Sequence, residues 1–175
     1  MRDVYVLTAA QALSASGMMT MTLLGGILGS QLAPSPVLAT LPISCVILGL
    51  ALSTIPAALV MQRIGRRRAF ITSALLAAVA ACVIAWAVVR QDFMLLCASA
   101  LVLGSNLAFQ LQHRFAAAEC VRPGQVSTAI SLVMVGTLIA AALGPQLALA
   151  VKDIVPGHEY AGSFLGVAAL CLATA

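Results

Sequence analysis

Charge is scarce in this sequence. Only 8% of its 175 residues are Asp, Glu, Lys or Arg, about a third of the share in a soluble domain. Between Asp3 and Arg63 there is none at all. A chain so poor in charge cannot cover itself with a wetted surface, which excludes an ordinary soluble domain. Aromatic residues are also few, at 5%, and they do not interleave with basic residues as on a nucleic-acid surface. The five cysteines (Cys45, Cys82, Cys97, Cys120 and Cys171) form no CxxC pair. That spacing argues against a disulfide framework or a zinc site, and the thiols read as small apolar packing residues. No GxSxG elbow, phosphate loop, HExxH or carboxylate pair is found. Ser105 and His113 lie two turns apart, about 12 Å of rise, too far for a hydrolase pair. No enzyme, cofactor or metal is expected.

What the chain has is apolar length. Hydrophobic residues make up 62% and the mean hydropathy is +1.10. The bilayer is the natural solvent, and the length allows about six spans of roughly 20 residues each. The expected fold is an all-α membrane protein, a bundle of six transmembrane helices at 5–30, 37–61, 69–89, 93–117, 125–151 and 160–175. The first break falls at Gln31–Pro36, where two prolines interrupt an otherwise uncharged run. Arg90-Gln91-Asp92 reads as a tight polar turn, and Lys152 to Glu159 as a polar loop containing Pro156-Gly157. The start, Met1-Arg2-Asp3, resembles a signal n-region, but the apolar run behind it is too long to be a removable one.

The basic residues set the orientation. Gln62-Arg63-Ile64-Gly65-Arg66-Arg67-Arg68 holds four of the nine Lys and Arg residues. With the N-terminus inside, Arg2, Arg63, Arg66, Arg67, Arg68, Arg114 and Arg122 lie inside, and only Arg90 and Lys152 lie outside. Seven against two is a strong positive-inside bias. The chain is therefore expected in a bacterial cytoplasmic (inner) membrane, N-terminus inside, with the lipid bilayer as its first partner and no nucleic acid.

A few polar residues interrupt the spans. Asn106, Gln110 and His113 recur at i, i+4 and i+7, on one helical face. Polar groups in lipid face a cavity or the bundle interior, so these three line a pathway or hydrogen-bond between helices. His113 has a third reading, as a solvated residue near the interface. Gln11, Ser14 and Met18 offer a similar face on the first span, with Thr20 and Thr22 as weaker members. Gly17, Gly25, Gly26 and Gly29 let that span pack closely, with Gly25 and Gly29 forming a small-xxx-small step. No Asp or Glu falls inside a span.

The Arg-x-Gly-Arg-Arg loop between spans two and three resembles the signature of the major facilitator superfamily. That signature runs Gly, three residues, Asp, a basic residue, any residue, then Gly-Arg-Arg. Arg63, Gly65, Arg66 and Arg67 match, whereas Ala58 replaces the Gly and Gln62 replaces the Asp. The resemblance implies a cytoplasmic gate cluster of Gln62, Arg63, Gly65, Arg66 and Arg67, joined by Glu119 as the partner of Arg66. Gly144-Pro145 on span five, preceded by Gly136 and Ala140, is similar to the family's antiporter-type helix motif. Arg114 stands where the family places a basic residue on span four, or else it snorkels to the interface.

The family has twelve spans in two halves, so the resemblance makes this chain the N-terminal six-helix half, with the second half absent. The implied function is secondary active transport of a small solute by alternating access, in the efflux direction. The first and fourth spans would line the path. A second six-helix half, or a second copy, would supply the other wall. The alternative is a non-transporting membrane scaffold or assembly partner derived from a half-transporter.

Overall fold

The computed structural model describes residues 2–151 and 160–174. The expected polar loop from Lys152 to Glu159, with Lys152 as an outside charge, lies outside the described residues, as do Met1 and Ala175. The helices are α1 (Arg2–Leu32), α2 (Leu41–Ile64), α3 (Arg66–Arg90), α4 (Phe93–Gln110), α5 (His113–Glu119), α6 (Val126–Ala150) and α7 (Ala161–Thr174). Short 3-10 turns occupy Pro36–Leu38 and Pro123–Gln125. The described residues are otherwise helices and connections, so the fold is all-α.

Local chemistry explains the boundaries. α1 runs on to Leu32, and the prolines at 34 and 36 then prevent a direct return. Pro36–Leu38 forms a 3-10 turn, so α2 begins at Leu41 instead of 37, with Pro42 in its first turn where a missing N–H costs nothing. α2 and α3 are joined by a single residue, Gly65, at φ 82°, a backbone state that side chains with a Cβ adopt only under strain. α3 closes on Gln91 in the left-handed region, at φ 57°. Asp92 then caps α4, its carboxylate accepting from Leu95 N at 3.0 Å. α3 starts at Arg66, three residues before the expected 69, because the arginines are helical themselves.

The fourth span corrects the sequence reading. One helix was expected over 93–117. The ladder instead breaks at Leu111-Gln112, and α5 is a separate seven-residue helix. Gln112 N bonds Phe109 O and Phe115 N bonds Gln112 O, both three residues back. These tighter bonds interrupt the ladder between the i to i−4 bonds of Leu111 to Leu107 and of Ala116 to Gln112.

Five segments are long and apolar enough to cross a membrane: Val4–Leu32, Pro36–Ile64, Arg66–Arg90, Phe93–Glu119 and Val126–Ala150. The sixth, α7, has 14 described residues, about 21 Å, which is shorter than a bilayer core. It packs inside the bundle against α3 and α1.

α1 lies on α6, α2 on α4, and α3 on α7. Exchanging the first three spans for the last three leaves this pattern unchanged: α1 on α6 becomes α4 on α2, and α3 on α7 maps to itself. That is the arrangement of an internal inverted repeat. The core forms around α3, whose Ala77, Ala78, Ala81 and Ala85 are buried with Leu96, Phe164, Met21 and Leu24. Small α3 side chains let α4 and α7 close on its backbone. α2 and α6 have much smaller buried shares, 17% and 22% of their apolar windows against 56% for α1 and α3. These two helices therefore form the outer faces of the bundle.

Two crossings are held by glycine. A Cβ on Gly49 would sit 2.0 Å from Leu101 O, and one on Gly104 would sit 2.1 Å from Val46 O. The α2–α4 seam is thus backbone on backbone, from both sides. The α1–α6 seam is similar: a Cβ on Gly136 would meet Thr8 O at 2.6 Å, and one on Gly144 would meet Ser16 O at 2.8 Å. Ala140 and Ala148 continue that stripe, fully buried. The expected Gly25–Gly29 step works differently. Gly25 faces the Ile43 side chain, and Gly29 makes room for the Ala39 carbonyl of the returning turn.

Candidate solute pathway

The polar residues of α1, α4 and α5 meet one another. Gln11 Oε1 lies 2.7 Å from His113 Nδ1, and the ring nitrogen is the donor because an amide oxygen has no proton to give. The same amide donates from Nε2 to Thr137 Oγ1 at 3.2 Å. Gln110 Nε2 donates to the Ser14 backbone carbonyl at 3.2 Å, and Ser14 Oγ donates to Thr174 Oγ1 at 3.5 Å. The network ties α1 to α4, α5, α6 and α7.

Asn106, Gln110 and His113 are each 5–6% exposed. All three face inward, although the ladder between Gln110 and His113 is broken. His113 is therefore not the solvated interface residue of one sequence reading. The turn at Leu111-Gln112 carries it into the bundle, where it meets the Phe70 ring edge-on at a centroid distance of 4.4 Å.

Two cavities lie on either side of this network. The first, about 290 Å³, is lined by Ser14, Arg67, Phe70, Ser73, Asn106, His113 and Thr174 together with apolar residues of α1 and α3. The second, about 230 Å³, is lined by Gln11, Met18, Gln110, Arg114, Met134 and Thr137 and their apolar neighbours. Gln11 and Gln110 face the second cavity while their partners His113 and Ser14 face the first. The hydrogen bonds form a partition between the two. The Asn106 amide faces the first cavity and makes no side-chain hydrogen bond to the described residues, so its donors and acceptor are available to an occupant.

The basic-loop end carries the ion pair. Arg66 Nη2 contacts Glu119 Oε1 at 2.5 Å, with the side chains 36% and 65% exposed. Arg66 Nη1 is buried and has no partner among the described residues. Three arginines open α3, where the helix dipole disfavours cations; the contact with Glu119 offsets part of that cost. The other positions of the expected cluster are dispersed. Gln62, Arg63 and Gly65 are exposed, while Arg67 lines the first cavity. Arg114 is exposed and lines the second cavity beside Gln110, with its guanidinium 5.1 Å from the Phe115 ring centroid.

Thr20, a weaker sequence candidate, is buried and bonds the carbonyls of Ser16 and Gly144 across the α1–α6 seam. Sequence reasoning passed over Thr137, Thr174 and Phe70. Each is a lone polar or aromatic residue in an apolar run, and only the helix pairing shows what it faces.

Comparison with known proteins adds the following. A family model described as Major Facilitator Superfamily matches residues 6–175. The chain is 42% identical over 171 residues to the riboflavin transporter RfnT of Brucella anthropi, covering 98% of this chain and 43% of that protein. It is 28% identical over 171 residues to YdeG of Bacillus subtilis, an uncharacterized MFS-type transporter, covering 96% and 40%. YddS of the same organism, also an uncharacterized MFS-type transporter, is 27% identical over 142 residues, covering 81% and 33%. The chain thus spans less than half the length of the curated relatives it matches. No solved structure matches it significantly.

Proposed function

Because the chain belongs to the major facilitator superfamily, we propose that its 175 residues form the N-terminal six-helix half of a secondary transporter that moves a small solute by alternating access. One observation carries this reading. The polar side chains of α1, α4, α5 and α6 converge on two cavities, with Gln11, Gln110 and His113 as the shared wall. Polar groups are costly in lipid unless they face each other or a cavity, and here they bond each other and line two cavities. Solute would bind along Gln11, Ser14, Met18, Asn106, Gln110 and His113. A second six-helix half, or a second copy, would close the path from the other side.

The membrane is read as the bacterial inner membrane with the N-terminus inside. The excess of arginine at one end supports this, and the Arg66–Glu119 contact places the α2–α3 joint and the end of α5 at that same end. There the pair would act as the cytoplasmic gate, with Arg114 at the rim of the path.

The relationship to RfnT makes riboflavin the first solute to test. The Gly136–Ala140–Gly144-Pro145 stripe, which resembles the antiporter motif, favours export. Flux of labelled riboflavin and other small solutes, measured in both directions in proteoliposomes of the intact protein, tests substrate and direction together. Saturable flux lost on Asn106→Leu is expected. A folded sample that moves none of the solutes would favour the non-transporting scaffold.

A further inference from the structure

α5 begins with His113 and ends with Glu119, so one short rigid element joins the partition between the cavities to the ion pair at the basic-loop end. Six residue steps separate the two, about 9 Å along the helix. Its N-terminal side joins α4 through the turn at Leu111-Gln112, where bonds run three residues back, a place where a helix can hinge. Its buried face is small: Ala117 sits with Val4, Ala129 and Val133, a surface on which a helix can shift without unlocking large side chains. Among the described residues, its ends are held by His113, which bonds Gln11 and packs on the Phe70 ring, and by Glu119, which bonds Arg66.

We propose that α5 is a connector that makes the Arg66–Glu119 contact depend on Gln11. His113 and Gln11 are positioning residues in this scheme. A solute that donates a hydrogen bond to Gln11 Oε1 competes with His113 for that acceptor. Once released, His113 leaves α5 free to pivot at Leu111-Gln112, and Glu119 moves off Arg66. Occupancy of the path is thereby reported at the gate. Its functional meaning rests on the transport reading above, but the coupling itself needs no solute and is tested without one.

The test is a distance measurement by pulsed electron paramagnetic resonance on the full chain in lipid nanodiscs. Labels go on the exposed native Cys120 and on Arg68→Cys, with the other four cysteines replaced by alanine. The parent is expected to show one main distance between α3 and α5. Glu119→Gln should add a second, longer population. Gln11→Ala should add the same population, raising its ratio to the first about five-fold, the shift expected from losing one net hydrogen bond. Gln11→Glu, which keeps an acceptor for His113, should restore the parent distribution. Parent-like distances in Gln11→Ala or in Glu119→Gln, or equal changes in Gln11→Ala and Gln11→Glu, would overturn the proposal.

Discussion

Gly104→Ala is the sharpest probe of how the bundle is held. The new Cβ would lie 2.1 Å from the Val46 carbonyl oxygen and 2.8 Å from Val46 C and Cα. An ordinary carbon–oxygen contact is about 3.3 Å, so α2 and α4 must separate by roughly 1 Å. A gap of that size forfeits about a quarter to a half of each contact along the seam, each worth about 0.1–0.2 kcal/mol. The summed loss is on the order of 1–3 kcal/mol, as for overpacking elsewhere. In lipid no hydrophobic term between helices offsets it. Unfolding in mixed micelles titrated with SDS reads the change. Gly26→Ala is the control, because its Cβ would meet only Ile43 Cδ1, at 3.8 Å; it should be neutral or mildly stabilising. Gly49→Ala forces the same seam apart from the other side, so the Gly49/Gly104 double variant should cost less than the sum of the singles. A wild-type curve for Gly104→Ala, or equal damage from Gly26→Ala, would refute the backbone-on-backbone seam.

Other substitutions separate packing from gating. Arg66→Ala should change stability by less than about 1 kcal/mol, because the ion pair is partly exposed, yet it should shift the balance of inward and outward states; unchanged cysteine accessibility at both ends would count against the gate role. Gly144→Leu places a branched side chain against Ser16 O and Met19 Cβ, both within 3 Å of the Cβ position. It should cost about 2–3 kcal/mol by overpacking and lower the folded yield, and wild-type expression with wild-type unfolding would show that α1 and α6 are looser than they look.

Much of the fold could be read from charge, together with the prolines that divide the first uncharged run. Uncharged runs between Asp3, Arg63–Arg68, Arg90–Asp92 and Arg122 marked the spans to within a few residues, because lipid allows so few charges inside them. The helical spacing of Asn106, Gln110 and His113 showed one shared face and left its role open, whereas their contacts with Gln11 and Ser14 follow from the helix pairing. The break at Leu111-Gln112 was not foreseen. No glycine or proline lies between Ser105 and Arg122, and the run Gln110 to Glu119 suits a continuous helix. Tertiary contacts of His113 with Gln11 and Phe70 go with the break. The Gly49–Gly104 seam was missed for a related reason. A glycine in a span tells that something comes close, but which helix comes close is a property of the pairing. On α1 the glycine step was visible, yet its Gly29 accommodates the turn carbonyl of Ala39, and its Gly25 meets the Ile43 side chain at the start of α2.

The central claim is that the cluster around Asn106 and Gln110 lines a solute path. Cysteine accessibility at Asn106 tests it most directly. In the intact protein freed of its native cysteines, Asn106→Cys should react with a membrane-impermeant thiol reagent, although it lies within an apolar span. Ile84→Cys, fully buried in the core of α3, should not. Asn106→Cys that stays unreactive in a folded, membrane-inserted sample would contradict the pathway.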